Sequence, residues 1–343
     1  MERLAVVLLA AGHGTRMKSK RQKVLHWVGG KPMVQHVFDA ACAVSDLPPV
    51  VVVGRAEAGV PQLLGDQARY VEQAERLGTG HAALMAAPLL TGRAAQVIVT
   101  YGDMPLLRPE TMRRLAQAQA DNGATIALLS VLGDTNSSFG RVRRDAPGRV
   151  VEIVEVAEAR RRPNSTHLLA IPELNVGVYC FDAAWLWQQL PHLPLRQARG
   201  NPEYYLTDLI EMAVAQSRPV IAILTDDPDE ALGAGTRAEM VAVEKAIRRR
   251  TNNHWLNHGV TLIDPNTTYI DPDVTIGQDT VIWPNTYLQG HTTIGQDCHL
   301  GPNTILRSAH IGHNCRIEQA IIENSTIADN QTVPPFTHLS GDG

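Results

Sequence analysis

Up to about residue 226 the chain alternates short, unbroken apolar runs with longer segments of mixed polarity, and from Ile270 onward it follows a different period. The apolar runs at residues 4–9, 50–54, 96–100, 124–132, 176–181 and 220–224 have the length and continuity of strands buried on both faces. The stretches at 33–44, 80–90, 109–121, 183–190 and 205–216 carry helical periodicity between them. Strands spaced by helices predict an α/β domain with a Rossmann-like, mostly parallel sheet, whose ligands lie outside the carboxyl ends of its strands. At 237–257, Met240, Val241, Val243, Ala246 and Ile247 alternate with charged residues, which predicts an amphipathic linker helix.

Aliphatic residues then recur every six positions, at Ile270, Ile276, Ile282, Leu288, Ile294, Leu300 and Leu306. Four residues after the first six of these stand Val274, Thr280, Thr286, Thr292, Cys298 and Thr304, all small or β-branched. That repeat predicts a short left-handed parallel β-helix built of hexapeptides, with three hexads to each triangular coil. The register slips after Leu306 and resumes at Ile311 and Ile317, then less regularly at Ile322, Ile327 and Val333. The expected organisation is a sheet domain over 1–228, a linker helix over 229–260 and a β-helix over 261–343.

Composition narrows the function. A chain of 343 residues with 44% hydrophobic and 19% charged content is globular and long enough for two cores. Its net charge of −4 argues against a nucleic-acid partner. Four cysteines without a CxxC pair give neither a zinc site nor a disulfide framework. No apolar run approaches the roughly 20 residues that span a bilayer, and the N-terminus has no signal-peptide pattern, so no membrane role and a cytoplasmic location are expected.

The strand at 4–9 ends in Leu9, Ala10, Ala11, Gly12, Gly14 and Thr15, followed at once by Arg16, Lys18, Lys20, Arg21 and Lys23. A buried strand that runs into a glycine-rich turn backed by cations suits a polyphosphate. The turn lacks the third glycine of GxGxxG, and no GxxxxGK[ST] is present, which disfavours a nicotinamide or flavin enzyme and a P-loop ATPase. The run at 96–100 leads into Tyr101, Gly102 and Asp103, placing a carboxylate where Mg²⁺ and phosphate would meet. Gln73 offers a donor and an acceptor to a base edge, and Gly78 with Thr79 forms a tight loop whose threonine can cap a helix. Each of these also has a plainer reading, as a solvated glutamine or a turn-capping aspartate.

Together these stretches resemble the sugar-1-phosphate nucleotidyltransferases, and most closely the uridyltransferase half of the bacterial bifunctional enzyme that makes UDP-N-acetylglucosamine. LLAAGHGTRMKSKRQKVLH is similar to that family's LAAGxGTRMxSxxPKVLH, with Gln22 in place of proline. The likeness continues through EQAERLGTGHA, YGDMPLL, FGRVRRD, GRVVEIVE, ELNVGVY and PEYYLTD. It implies that UTP and N-acetylglucosamine 1-phosphate are the substrates and Mg²⁺ the cofactor. Arg16 and Lys23 would act on the reacting phosphates, with Leu9 to Gly12, Gly14, Thr15, Gln73, Gly78 and Thr79 around the nucleotide. Tyr101, Gly102, Gly140, Glu155, Asn175, Tyr205 and Thr207 would surround the sugar, and Asp103 would hold the metal. The family's second metal ligand is an Asn or Asp in a GVNN-like segment; aligned here, Thr236 takes that place, a poorer Mg²⁺ donor. Asp226, Asp227 or Asp229 could substitute, Thr236 could act through water, or the site could be weakened. The β-helix implies a homotrimer. The relatives' acetyltransferase coils lie beyond the matched repeats, so His310, His313 and His338 read as coil-surface residues and acetyl transfer is not expected. Two alternatives stay open: a related activity, such as thymidylyl transfer to glucose 1-phosphate, and a non-catalytic nucleotide-sugar-binding protein.

Overall fold

The structure, a computed structural model, describes residues 3–55, 59–135, 137–198 and 201–341. The chain forms two compact units: Met1–His26 with Met33–Glu239, and Trp27–Pro32 with Met240–Gly343.

The first unit is built on a nine-stranded sheet. Leu4–Leu9 is buried at every residue and lies at its centre, parallel to both Val50–Gly54 and Gln96–Tyr101. Arg69–Gln73 adds a parallel edge strand beside Val50–Gly54. On the other side Glu173–Asp182 runs antiparallel between Gln96–Tyr101 and Ile126–Leu132, and Val220–Leu224 closes the row parallel to the latter. Continuous Val/Leu/Ile runs suit this sheet because apolar clusters cover both of its faces: Val7, Val52 and Val99 join one, Val6, Leu8 and Ile98 the other.

Several expected elements differ in extent. The helix read over 80–90 is two short helices, Thr79–Leu84 and Ala87–Leu90, with Pro88 in the first turn of the second, where its missing N–H costs nothing. The helix read over 205–216 starts at Asp208. Two antiparallel pairs had no counterpart in the apolar pattern: Arg141–Arg144 with Val150–Val154, and Leu195–Ala198 with Asn201–Tyr204.

In the second unit three parallel sheets of five, five and four short strands stack as a hexapeptide β-helix. The residues of the six-step pattern, from Ile270 through Val333, are buried and form one continuous core. The small residues between them are buried as well, and the hydroxyl groups of Thr280, Thr286 and Thr292 each donate to a main-chain carbonyl, at 3.0, 2.7 and 2.7 Å. The slip in register is physical: paired residues are 18 apart at Tyr287↔Ile305, 17 apart at Thr293↔His310 and 16 apart at Ile305↔Ile321. Corners have shortened while the interior positions stay in line. Asp279, Asn285, Asp297, Asn303, Asn314, Asn324 and Asn330 have positive φ there, a conformation Asn and Asp tolerate best after glycine. His310, His313 and His338 contact Thr293, the Gln296 N–H and Glu323, respectively.

The hairpin Trp27–Pro32 also belongs to this unit. It turns through Gly29 and Gly30, with φ of 52° and 81°, which favours glycine at both positions. The Gly29 N–H donates to Glu244 at 2.6 Å and Lys31 pairs with Asp273 at 3.0 Å. Among the described residues no helix is long and apolar enough to cross a membrane.

Candidate functional site: a cavity at the strand ends

In the first unit a cavity of about 510 Å³ opens at the carboxyl ends of Leu4–Leu9 and Gln96–Tyr101. Its floor is the glycine-rich turn. Ala10 and Gly102 are tied to the sheet by N–H bonds to Val52 O at 2.9 Å and Leu9 O at 3.0 Å. Gly14 has φ of 69°, and a Cβ there would fall 2.4 Å from the Lys23 Cβ, so the missing side chain lets Lys23 pack on the turn. Gln22, at the family's proline position, donates to the Ala10 carbonyl at 2.7 Å. Arg16, Lys23 and Asp103 line the cavity together, and the Lys23 ammonium pairs with the Asp103 carboxylate.

One flank holds Gln73, Gly78 and Thr79. Gln73 is buried, and its amide nitrogen lies 3.0 Å from Gly78 O and 3.1 Å from His81 Nδ1. No protein donor to its carbonyl oxygen is found among the described residues. Gly78 has φ of 99°, and a Cβ on it would sit 2.5 Å from Tyr204 O. The Thr79 hydroxyl, expected to cap a helix, instead accepts from Leu206 N at 3.0 Å, and Tyr204 N donates to Leu77 O at 2.7 Å. The short hairpin ending at Tyr204 thereby closes on this loop.

The opposite flank holds Tyr101, Gly140, Glu155 and Asn175. Burial, together with the Glu155 and Asp103 charges, pushes the Tyr101 phenol well above its usual range, so it stays neutral. Gly177, at the bulge where the Glu173–Asp182 pairing shifts, leaves room for the Tyr101 ring. Glu155 is pushed upward mainly by burial, then by Glu158 and Asp208, with Arg141 opposing. Arg141, 1% exposed, hydrogen-bonds the carbonyls of Thr135, Ser137 and Phe139 and so gathers the wall that precedes Gly140. Asn175 donates to the Tyr179 hydroxyl at 2.7 Å and accepts from Gly177 N at 3.2 Å.

Leu9, Ala10, Ala11 and Gly12 also line this cavity. Gly14, Thr15, Gly102, Tyr205, Thr207 and Thr236 do not. Gly14 and Thr15 shape the turn behind it, Gly102 packs near Ala10 and Val24, and Thr207 is buried where the helix Asp208–Ala215 begins. Thr236 directly precedes the helix Arg237–Asn257; its hydroxyl accepts from Glu239 N at 3.2 Å, while Glu239 Oε2 accepts from Gly235 N at 2.7 Å. That arrangement resembles a capping box, legible as T-x-x-E at 236–239. Asp226 and Asp227 pair with Arg114 and Arg108 and border a separate depression. Sequence reading passed over Arg76, whose Nε–H donates to Ala11 O at 2.9 Å, and over Phe139, Glu203, Gly235 and Glu239, all on the cavity wall.

Residues 6–200 match the MobA-like NTP transferase domain, and 273–308 match the six-repeat bacterial transferase hexapeptide. The "Bifunctional protein GlmU" of Exiguobacterium sibiricum is 42% identical over 333 residues, 97% of this chain and 73% of that protein. Its namesake in Bacillus velezensis is 40% identical over 342 residues, 100% and 74%, and that of Enterococcus faecalis 39% over 339, 99% and 72%. With both signatures in order along one chain and this identity over nearly all of it, the chain belongs to the GlmU family of nucleotidyltransferases.

Proposed function

We propose that the protein transfers a uridylyl group from UTP to N-acetylglucosamine 1-phosphate, forming UDP-N-acetylglucosamine and pyrophosphate. A sugar-phosphate oxygen bonds to the α-phosphorus as the bond to the bridging oxygen of the leaving pyrophosphate breaks. No enzyme nucleophile is needed; positioning and charge neutralisation carry the rate. The observation that carries the reading is one cavity with Arg16, Lys23 and Asp103 at its centre and two chemically different flanks. Arg16 neutralises the leaving pyrophosphate, Lys23 bridges the reacting phosphates, and Gln73, Gly78 and Thr79 read the base. Glu155, Asn175, Tyr101 and Gly140 border the sugar, with Tyr205 and Thr207 as support from behind.

Magnesium fits this donor set, since it binds through one or two carboxylates together with substrate phosphates, and Asp103 is such a carboxylate. When bound, the ion neutralises phosphate charge. The Gln73 amide nitrogen lies on Gly78 O and His81 Nδ1, which leaves its carbonyl to face N3 of the base, where uracil carries an N–H and cytosine does not. Thymine shares that edge, so thymidylyl transfer is the second reading. Acetyl transfer is not part of the proposal. A homotrimer is proposed by analogy with other hexapeptide-repeat proteins, since the chain carries that repeat.

Pyrophosphate release with Mg²⁺, screened over the four common nucleotides and several sugar 1-phosphates, tests the proposal. Fastest turnover with UTP and N-acetylglucosamine 1-phosphate is expected; no turnover with any pair would overturn it.

A further inference from the structure

Gly235 lines the cavity and directly precedes Thr236, the residue before the helix Arg237–Asn257. Its backbone does not ask for glycine, because its φ lies outside the left-handed region that favours that residue. What the glycine provides is space. A Cβ there would fall 2.4 Å from Arg16 Nη2, 3.0 Å from Arg16 Cζ and 3.0 Å from Glu239 Oε2, so the guanidinium lies where a side chain would otherwise stand. No main-chain atom is among these three nearest neighbours. An alanine at 235 would therefore displace the end of Arg16 and leave the surrounding backbone alone.

The segment that makes this space is held at both ends. Ala234 N donates to the Asp103 carbonyl at 3.3 Å, and Gly235 N donates to Glu239 Oε2 at 2.7 Å. A Cβ on Gly233 would lie 3.4 Å from the same Asp103 carbonyl oxygen, so the segment borders the Asp103 end of the cavity. The origin of the arginine is held as well: Arg16 leaves from the turn Thr15–Met17, where Met17 is buried and its N–H donates to Gly14 O at 2.9 Å. Between these two anchors a long side chain with many rotamers has a space that suits one placement of its head. The Glu239 carboxylate at the edge of that space favours a cation within it.

We propose that Gly235 is a positioning residue: by carrying no side chain, it gives the Arg16 guanidinium its place at the Asp103 end of the cavity. The inference rests on the role proposed above for Arg16, neutralising the leaving pyrophosphate, and its test needs no turnover. Pyrophosphate binding in EDTA is measured by calorimetry for the wild type, Gly235→Ala, Arg16→Ala and the double variant, with the melting temperature of each. Gly235→Ala is expected to weaken pyrophosphate binding roughly tenfold or more at an unchanged melting temperature, because the displaced guanidinium no longer meets the anion. In the Arg16→Ala background the same substitution is expected to change affinity by less than about twofold, since no guanidinium is left to displace. Wild-type affinity in Gly235→Ala, the same loss in both backgrounds, or a loss that comes with a lowered melting temperature would each overturn the assignment. Full pyrophosphate affinity in Arg16→Ala would overturn it too, by removing the role on which it rests. Failure of all nucleotide pairs to turn over would instead strike the function proposed above.

Discussion

The base-reading role proposed for Gln73 has a magnitude. The side chain is 4% exposed, and its amide nitrogen is within hydrogen-bond reach of Gly78 O and His81 Nδ1. Gln73→Leu removes the acceptor offered to the base and leaves the Gly78 carbonyl without its side-chain donor. Each such orphaned group in a dry site costs about 1–3 kcal/mol. At about 1.4 kcal/mol per tenfold, kcat/KM for UTP should fall roughly 5- to 150-fold. The sharper readout is the ratio of UTP to CTP. With the Gln73 carbonyl facing N3 as proposed, cytosine would set acceptor against acceptor, a clash that a leucine cannot enforce, so the variant should lose most of its preference. Initial rates of pyrophosphate release with each nucleotide give the ratio directly, with melting temperature as a control for folding. A UTP:CTP preference that survives intact in Gln73→Leu would refute base reading by this residue.

Other consequences are equally open to measurement. Lys23→Ala and Asp103→Ala should each lower kcat by roughly tenfold or more with the fold preserved by circular dichroism, because both are proposed to act on phosphate charge; unchanged kinetics would remove that residue from the reaction. Glu155 is held above its ordinary pKa of 4.5 by burial, so the folded protein binds that proton more tightly than the unfolded chain does. Its stabilising contribution is full below the ordinary value and is lost as pH rises through the raised one. Glu155→Gln should therefore raise the melting temperature at neutral pH relative to wild type while raising KM for the sugar phosphate, and a lowered melting temperature there would contradict the sign. Gly140→Ala puts a Cβ 2.7 Å from Ile153 and 3.3 Å from Glu155 Oε1, which should raise KM for the sugar phosphate more than for UTP. In the β-helix, Leu288→Ala empties a fully buried layer and should cost about 2–5 kcal/mol, seen as an earlier urea transition in the fluorescence of Trp255, which packs on that core.

The elements that could be read directly were those whose sequence is an unbroken apolar run, whether buried throughout, as at Leu4–Leu9, or half-exposed at the sheet edge, as at Val220–Leu224. Leu4–Leu9, Val50–Gly54 and Val220–Leu224 begin and end where the apolar runs do, and the six-residue period names the β-helix interior side chain by side chain. Arg69–Gln73 stayed hidden because it is an edge strand whose residues are mostly half-exposed or exposed, and its RYVEQ has no continuous apolar run. Arg141–Arg144 was masked by its arginines: only the tertiary fold supplies the carbonyls that let Arg141 be buried. For the cavity, the glycine-rich turn and Asp103 were legible because backbone approach and a carboxylate after a strand have local signatures. The wall at Gly235 and Glu239 was not, since a glycine's significance lies in what approaches it, and Arg16 is over two hundred residues away in sequence.

The small hairpin Trp27–Pro32 bears on how such a protein could be divided or recombined. Its bonds to Glu244 and Asp273 group it with the β-helix, although it follows Lys23 by only a few residues. The polypeptide consequently passes between the two units three times, at 26/27, 32/33 and 239/240, where a simple tandem protein has one junction. A gene fusion or truncation made at the linker helix would leave Gly29 and Lys31 without their partners, immediately downstream of the cavity-lining Lys23. Exchange of modules by a single crossover is thus disfavoured, and the two halves are constrained to be inherited together.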